Sequence, residues 1–296
     1  MAITAKQLHP AFAAELSGLD MRRDTDPASI AAVVRAMDQY AVCVAPHERP
    51  LSNEEHIAFS GLLGPIERRP ILKVQGTDKL RVPHYEIIDQ SNLDGDGKIY
   101  PEGDKRLWYK RANRLWHTDV SFHPVRATYS LLSCHITPPG GAPTEFADMR
   151  AVYDALPEKM KARVEGLVAE HSYWHSRVVA GGPEASEGEK ATRPPARHPM
   201  VHVHPTSKRK VLYIASHIQQ IVGLPADEGR ALVRELTAFA TQERFVFRHH
   251  WRVGDVVIWD NLATMHRATE FDDQAHVRDM RRTTCREGTL ALEATV

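Results

Sequence analysis

The chain has 296 residues, of which 42% are hydrophobic and 26% charged, enough apolar material for one large β-rich domain spanning residues 1–296. Lys plus Arg and Asp plus Glu both number 38, so the formal net charge is zero and a field that gathers nucleic acid is not expected. The opening MAITAKQLHPAFAAELSGLD has no apolar signal core, and no stretch approaches the ~18 continuous apolar residues of a membrane span. Cys43, Cys134 and Cys285 are too few and too scattered for a disulfide framework, so a cytoplasmic protein that meets no membrane is expected.

In chain order, Ile30, Val33, Val34 and Met37 recur at helical spacing and predict a helix over Pro27–Tyr40. Ala41–Val44 reads as a short buried strand. Ser52 and Glu55 have capping-box spacing ahead of a helix whose buried side is Ile57, Phe59, Leu62 and Leu63, stopped by Gly64-Pro65. Residues Asp89–Lys110 are polar and glycine-rich and read as a long loop of the kind used for lids and binding. Ala127–Ile136 is strand-like, and Asp148 caps a helix over MRAVYDAL that ends before Pro157. Ala180–Pro199 is poor in apolar residues and is expected to be mobile. A helix over Ala226–Thr241 turns Leu232, Leu236, Phe239 and Ala240 inward, and Val253-Gly254 joins strands at Phe245–Arg252 and Asp255–Trp259. There is no internal repeat and no βαβ rhythm. The pattern is mainly β with peripheral α-helices, a sandwich or barrel core.

Among 17 histidines, the tetrapeptide Trp116-His117-Thr118-Asp119 is the most informative. In an extended segment, residues i and i+2 face the same way, so His117 and Asp119 can supply two corners of a metal site. A second histidine would complete the 2-His-1-carboxylate face that leaves positions open on Fe(II). His266 is the best candidate, because a buried strand runs into the Asp260-Asn261 turn and His266 follows on the returning strand. Periodicity alone does not select it over the other histidines. The bland alternative is a surface pair at His117 and Asp119 with a hydrogen-bonded core histidine at 266. His249 and His250 face opposite sides of a strand. His171 and His175 have a helical i, i+4 spacing but lack a neighbouring glutamate, and His202 with His204 lacks a third ligand. Beyond His266, Arg278, Met280 and Arg282 share one face of a strand, with two guanidinium forks about 13 Å apart. Each fork can grip a carboxylate bidentately, whereas Arg281 points away into ion pairs.

The segments LHPAFAAELSGLD, HIAFSGLLGPIE, LWHTDVSF, TPPGGAPTEFADMRAVYDALP, GLPADEGRALVRELTAFATQ, VGDVVIWDNLATMHR and RDMRRTT occur in this order across nearly the whole chain. Together they resemble the taurine and 2,4-dichlorophenoxyacetate dioxygenase family of 2-oxoglutarate-dependent oxygenases, above all its 2,4-dichlorophenoxyacetate branch. The resemblance implies a double-stranded β-helix (jelly-roll) core, with iron on His117, Asp119 and His266. It implies a 2-oxoglutarate clamp at Arg278 aided by Thr144, and a substrate-carboxylate arginine at Arg282. Lys73, Lys98 and His217 fall at positions that line the substrate entrance, and Trp116 packs beside the ligands. The implied reaction uses Fe(II), 2-oxoglutarate and O2 to hydroxylate a small acidic substrate. For an aryloxyacetate it gives a phenol, glyoxylate, succinate and CO2. The alternatives are the same chemistry on taurine or another sulfonate or aryl acid, and a non-catalytic zinc-binding jelly-roll sensor. Homo-oligomers are expected from the resemblance.

Overall fold

A computed structural model describes residues 2–68 and 81–288. Lys73 lies outside the described residues. The N-terminal part carries β1 (Thr4–Gln7), β2 (Ala14–Ser17), α1 (Pro27–Tyr40), β3 (Val42–Ala45), α2 (Asn53–Leu63), β4 (Ile88–Asp89) and α3 (Lys105–Arg111). The middle carries β5 (Ala127–Ile136), β6 (Thr144–Asp148), α4 (Met149–Ala155), α5 (Glu158–Val164), β7 (Val168–His171), α6 (Tyr173–Val179), α7 (Glu187–Thr192), β8 (Ala196–Pro199), β9 (Val201–Val203), β10 (Lys210–Leu212) and β11 (Ile218–Ile221). The C-terminal part carries α8 (Ala226–Ala240), β12 (Val246–His249), β13 (Val256–Asp260), β14 (Thr264–Ala268) and β15 (Asp279–Arg286).

The architecture is mixed α/β with several sheets. A seven-stranded sheet has the order β1-β2-β3-β13-β5-β15-β4, and three-stranded sheets run β12-β6-β14 and β11-β7-β8, with β9 and β10 paired separately. Alternation along the strands assigns the faces of the large sheet. Cys43, Ala45, Leu131, Val256 and Ile258 pack with α1 and α2 residues Val33, Met37 and Phe59 on one side. Their neighbours Val42, Val44, Leu132, Cys134, Val257, Trp259 and Met280 pack on the other side with Phe146 of β6. Both faces of β3 and β13 are therefore buried, which explains their unbroken apolar runs. The loop from β12 to β13 carries the chain from one sheet to another. Gly254 is needed there: its φ is +93°, and an added Cβ would lie 2.2 Å from the carbonyl oxygen of His47.

Helix α1 has the predicted bounds, with the Asp26 side chain capping its first turn. Helix α2 has the expected capping box, and both of its reciprocal bonds are present. Its buried side differs from the prediction. Leu62 is 44% exposed, while His56 and Ser60 are buried, because Ser60 Oγ meets Thr283 Oγ1 at 2.6 Å and His56 Nε2 meets it at 3.2 Å. A polar seam against β15 rotates the helix away from the purely apolar stripe. The Asp89–Lys110 loop ends in α3, with Leu107 buried, and Ser91, Asn92, Leu93 and Tyr100 are buried too. The segment expected to be mobile, Ala180–Pro199, contains α7 under a second capping box, Ser186 with Glu189, and then β8. Among the described residues, no helix is long and apolar enough to cross a membrane.

Candidate metal centre

His117 and His266 are held together by their backbones. His117 N donates to His266 O at 3.0 Å and His266 N to His117 O at 2.7 Å, an isolated antiparallel bridge. Such a pair projects both side chains to one side, and the ring centroids lie 4.3 Å apart. β14 supplies His266, paired with Phe146 of β6. Asp119 does not lie on a regular strand with His117, as the i, i+2 argument supposed. It sits at the start of a turn, and Val120 follows it with φ +58°. A β-branched residue in that region is strained, and neighbouring bonds hold the turn. Thr118 Oγ1 donates to Asn261 O at 2.8 Å, and Asp119 N donates to Asn261 Oδ1 at 3.2 Å.

His117 Nε2 lies 3.9 Å from Asp119 Oδ1, and His266 Nε2 lies 3.8 Å from Asp119 Oδ2. One ligand atom from each of the three buried residues falls within 4.8 Å of the others. His117 Nδ1 donates to Leu115 O at 2.7 Å, which leaves the Nε2 lone pair facing the carboxylate. Burial depresses both imidazoles, His266 well below the usual range. Neutral rings are what metal ligation requires. Burial alone would raise the Asp119 carboxyl, but the Arg282 charge, both histidines and the Ser130 hydroxyl hold it below its ordinary value. Ser130 Oγ donates to Asp119 Oδ2 at 2.8 Å, and Asn261 Nδ2 donates to Ser130 Oγ at 2.9 Å. Two neutral imidazoles and one ionised carboxylate, oriented by an outer layer of hydrogen bonds, fit a single divalent cation of the Fe(II) type.

The two arginines have separate environments, and, contrary to expectation, they do not share a strand: Arg278 precedes β15 and a bulge follows between Asp279 and Met280, whereas Arg282 lies within the strand. Arg278 is buried, its backbone N–H donates to Asn92 Oδ1 at 2.8 Å, and its guanidinium has no carboxylate partner among the described residues. Burial lowers it to about 10. Arg282 instead donates through Nη1 to Asp119 Oδ1, and its Nε is buried without a partner. Arg281 points to the other face, as expected, and is half-buried against Asn53 rather than solvated. Thr144 is buried at the start of β6, and its Oγ1 accepts from Trp251 Nε1 at 2.9 Å. His217 is buried beside His117, with ring centroids 5.9 Å apart. Lys98 is exposed on a turn closed by Asp94 and, among the described residues, makes no hydrogen bond or ion pair to the centre. Trp116 is partly buried beneath the Arg267 guanidinium, 5.0 Å from its ring.

The competing histidine pairs have other roles. His171 ends β7 while His175 lies in α6, so they do not share a helix. His249 is buried against Asp255 at 3.1 Å and His250 is exposed. His202 and His204 bond to Leu262 O at 3.0 Å and to Asp260 Oδ2 at 2.8 Å. Sequence reasoning missed Ser130, Trp251 and the side-chain role of Asn261. Asn261 had registered only as a turn signal, and the other two lie on distant segments with no local pattern.

These elements define a mononuclear metal centre on a mixed α/β scaffold. The model of the family described as taurine catabolism dioxygenase TauD, TfdA family matches residues 4–284. The chain belongs to that family. It is 40% identical over 284 residues to the alpha-ketoglutarate-dependent 2,4-dichlorophenoxyacetate dioxygenase of Cupriavidus pinatubonensis, covering 96% of this chain and 98% of the relative. It is 35% identical over 273 residues to the (S)-phenoxypropionate/alpha-ketoglutarate-dioxygenase of Sphingobium herbicidovorans, covering 90% and 88%. The crystal structure of AAD-2 in complex with Mn(II) and N-oxalylglycine superposes with a TM-score of 0.92 at 40% identity, covering 98% of this chain and 99% of the other. The protein is a dioxygenase dependent on Fe(II) and 2-oxoglutarate, with His117, Asp119 and His266 as its facial triad.

Proposed function

We propose that the enzyme hydroxylates an aryloxyacetate such as 2,4-dichlorophenoxyacetate, releasing a phenol and glyoxylate alongside succinate and CO2. The observation that carries the reading is Arg278, a buried guanidinium without an acid partner among the described residues, a short way along the chain from the metal ligand His266. A fixed cation of this kind suits the distal carboxylate of 2-oxoglutarate, gripped bidentately. Thr144 joins it, because its oxygen already accepts from Trp251 and its proton is left to donate to the same carboxylate.

Arg282 takes the substrate carboxylate. Nη1 is committed to Asp119, and the remaining donors of the fork serve a second anion. His217 lines the entrance near the ligands and Lys98 lies further out, while Lys73 is assigned to the entrance by the resemblance alone. When bound, iron supplies the activation of O2 that is coupled to decarboxylation of 2-oxoglutarate. The chain's own residues bind and orient the two acids, and the buried walls exclude water. Hydroxylation of the carbon beside an aryl ether gives a hemiacetal, which collapses to the phenol and glyoxylate. The core is read as a jelly-roll, the whole chain as one domain, and the enzyme as a cytoplasmic homo-oligomer.

Relatives whose names specify aryloxy acids, at 40% and 35% identity, support this choice over sulfonates. The test is a panel of aryloxyacetates, 2-aryloxypropionates, cinnamates and sulfonates, read by succinate release and product identity. Aryloxyacetates should give the highest kcat/KM, with phenol and succinate in equal amounts. Faster turnover of taurine or an alkyl sulfonate would replace the substrate and leave the chemistry.

A further inference from the structure

Beside the metal centre, Ser121 Oγ lies 3.0 Å from Nδ1 of His217 and 3.0 Å from Nδ1 of His171. All three residues are buried, and they come from separate places: the turn after Asp119, the end of β7 and the approach to β11. Two ring nitrogens thus compete for one hydroxyl. A hydroxyl has a single proton, so it can donate to one ring only, and the other ring must donate to it.

The direction of the chain follows from what each ring can do with its other nitrogen. His171 Nε2 is buried and has no partner. A buried N–H without an acceptor is costlier than a bare lone pair, so His171 keeps its proton on Nδ1 and donates to Ser121. Ser121 then donates onward to His217 Nδ1. That nitrogen is an acceptor, so the neutral His217 ring carries its proton on Nε2. Among the described residues, neither ring is paired with an acid. The titratable and charged groups acting on His217 are His117, Arg177, His171 and His175, and those acting on His171 are His198 and His217. Packing fixes the planes. The His217 ring stands edge-to-face against Phe122 at 5.1 Å and against His117 at 5.9 Å.

We propose that the His171–Ser121–His217 chain fixes the tautomer of His217, so that the ring presents an Nε2–H donor to the acidic group of the substrate. Ser121 and His171 are then positioning residues for substrate recognition. The inference rests on the reading that His217 lines the substrate entrance. It adds the reason why a neutral histidine serves an anion there: the relay removes the tautomer that would aim a lone pair at a carboxylate.

The experiment uses the full chain labelled with ¹⁵N-histidine and loaded with Zn(II) as a diamagnetic substitute. His217→Gln identifies the resonances of His217 by their loss. In the wild type, His217 should show a protonated Nε2 and a bare Nδ1. Ser121→Ala should shift or mix that tautomer and raise KM for the acidic substrate about tenfold, the worth of one oriented hydrogen bond. KM for 2-oxoglutarate and bound iron should stay at wild-type values, a split that general loss of structure would not produce. Ser121→Thr, which keeps the hydroxyl, should restore the tautomer. A wild-type His217 protonated on Nδ1, or an unchanged substrate KM in Ser121→Ala, overturns the relay, and the wild-type spectrum decides even if the alanine variant fails to fold. If the wild type turns over no aryloxy acid, the substrate reading fails, while the tautomer spectrum still passes judgement on the relay.

Discussion

Arg278 and Arg282 are the same side chain four positions apart, one just before β15 and one within it, and the surroundings give them different work. Arg282 is tied to the metal-ligating Asp119, where it keeps a buried carboxylate ionised against the cost of desolvation. Among the described residues Arg278 has no acid partner, and burial lowers it to about 10, which is why we propose it for the 2-oxoglutarate carboxylate. Replacing Arg278 with alanine should raise KM for 2-oxoglutarate at least a hundredfold, since a buried charge pair loses about 3–5 kcal/mol when one member goes. Steady-state kinetics with 2-oxoglutarate as the varied substrate checks this, and unchanged kinetics would remove Arg278 from the clamp. The outer hydrogen bonds matter at the same scale. Ser130 and Asn261 orient Asp119 from β5 and from the β13–β14 turn, so the ligand geometry depends on residues that never touch the metal.

β13 shows how one element serves several ends. Its alternate residues fill two separate cores, and its end delivers Asp260 and Asn261 to the turn before His266. β6 does similar work, with Phe146 in the inner core, Thr144 at one end and Asp148 at the other. Asp148 caps α4, as its position in the sequence predicted, and it also holds Arg150. That pair is buried on both sides, with Nε to Oδ1 at 3.0 Å. Asp148→Ala removes the cap and leaves the Arg150 charge uncompensated. A loss of about 3–5 kcal/mol is expected, far more than the ~1 kcal/mol of a cap alone. Urea denaturation measures it, and a loss of only ~1 kcal/mol would show that Arg150 finds other support.

At the scale of the whole molecule, several histidines are buried and depressed by desolvation. Burial lowers His56 to about 3 and His202 to about 4, from an ordinary value of 6.5. A folded-state value below the unfolded one means that the unfolded chain takes up the proton first. The stability these rings allow is therefore complete above pH 6.5 and declines as the pH falls from 6.5 towards 4. Each ring contributes up to about 1.4 kcal/mol per pH unit in that window. Calorimetry between pH 7 and 5 should show Tm falling steadily in low salt. A flat Tm across that range would mean that the buried rings protonate without unfolding.

Local pattern was enough for the bounds of α1 and β5, the capping box of α2, the cap of α4 and the inward face of α8, because each depends on spacing within a few residues. The identities of the three ligands were legible as a motif and a family resemblance, since the residue types themselves carry the coordination chemistry. Tertiary structure alone decided the partners of those residues. That Leu62 faces water while His56 and Ser60 are buried depends on Thr283, more than two hundred residues away in the chain. Nothing near Arg282 in sequence announces its bond to Asp119, and nothing near Ser121 announces two histidines. Short-range periodicity reports which side of an element is buried on average. Which buried charge meets which acid is settled only when distant strands are brought into register, because hydrogen bonds act over about 3 Å in space, whatever the separation along the chain.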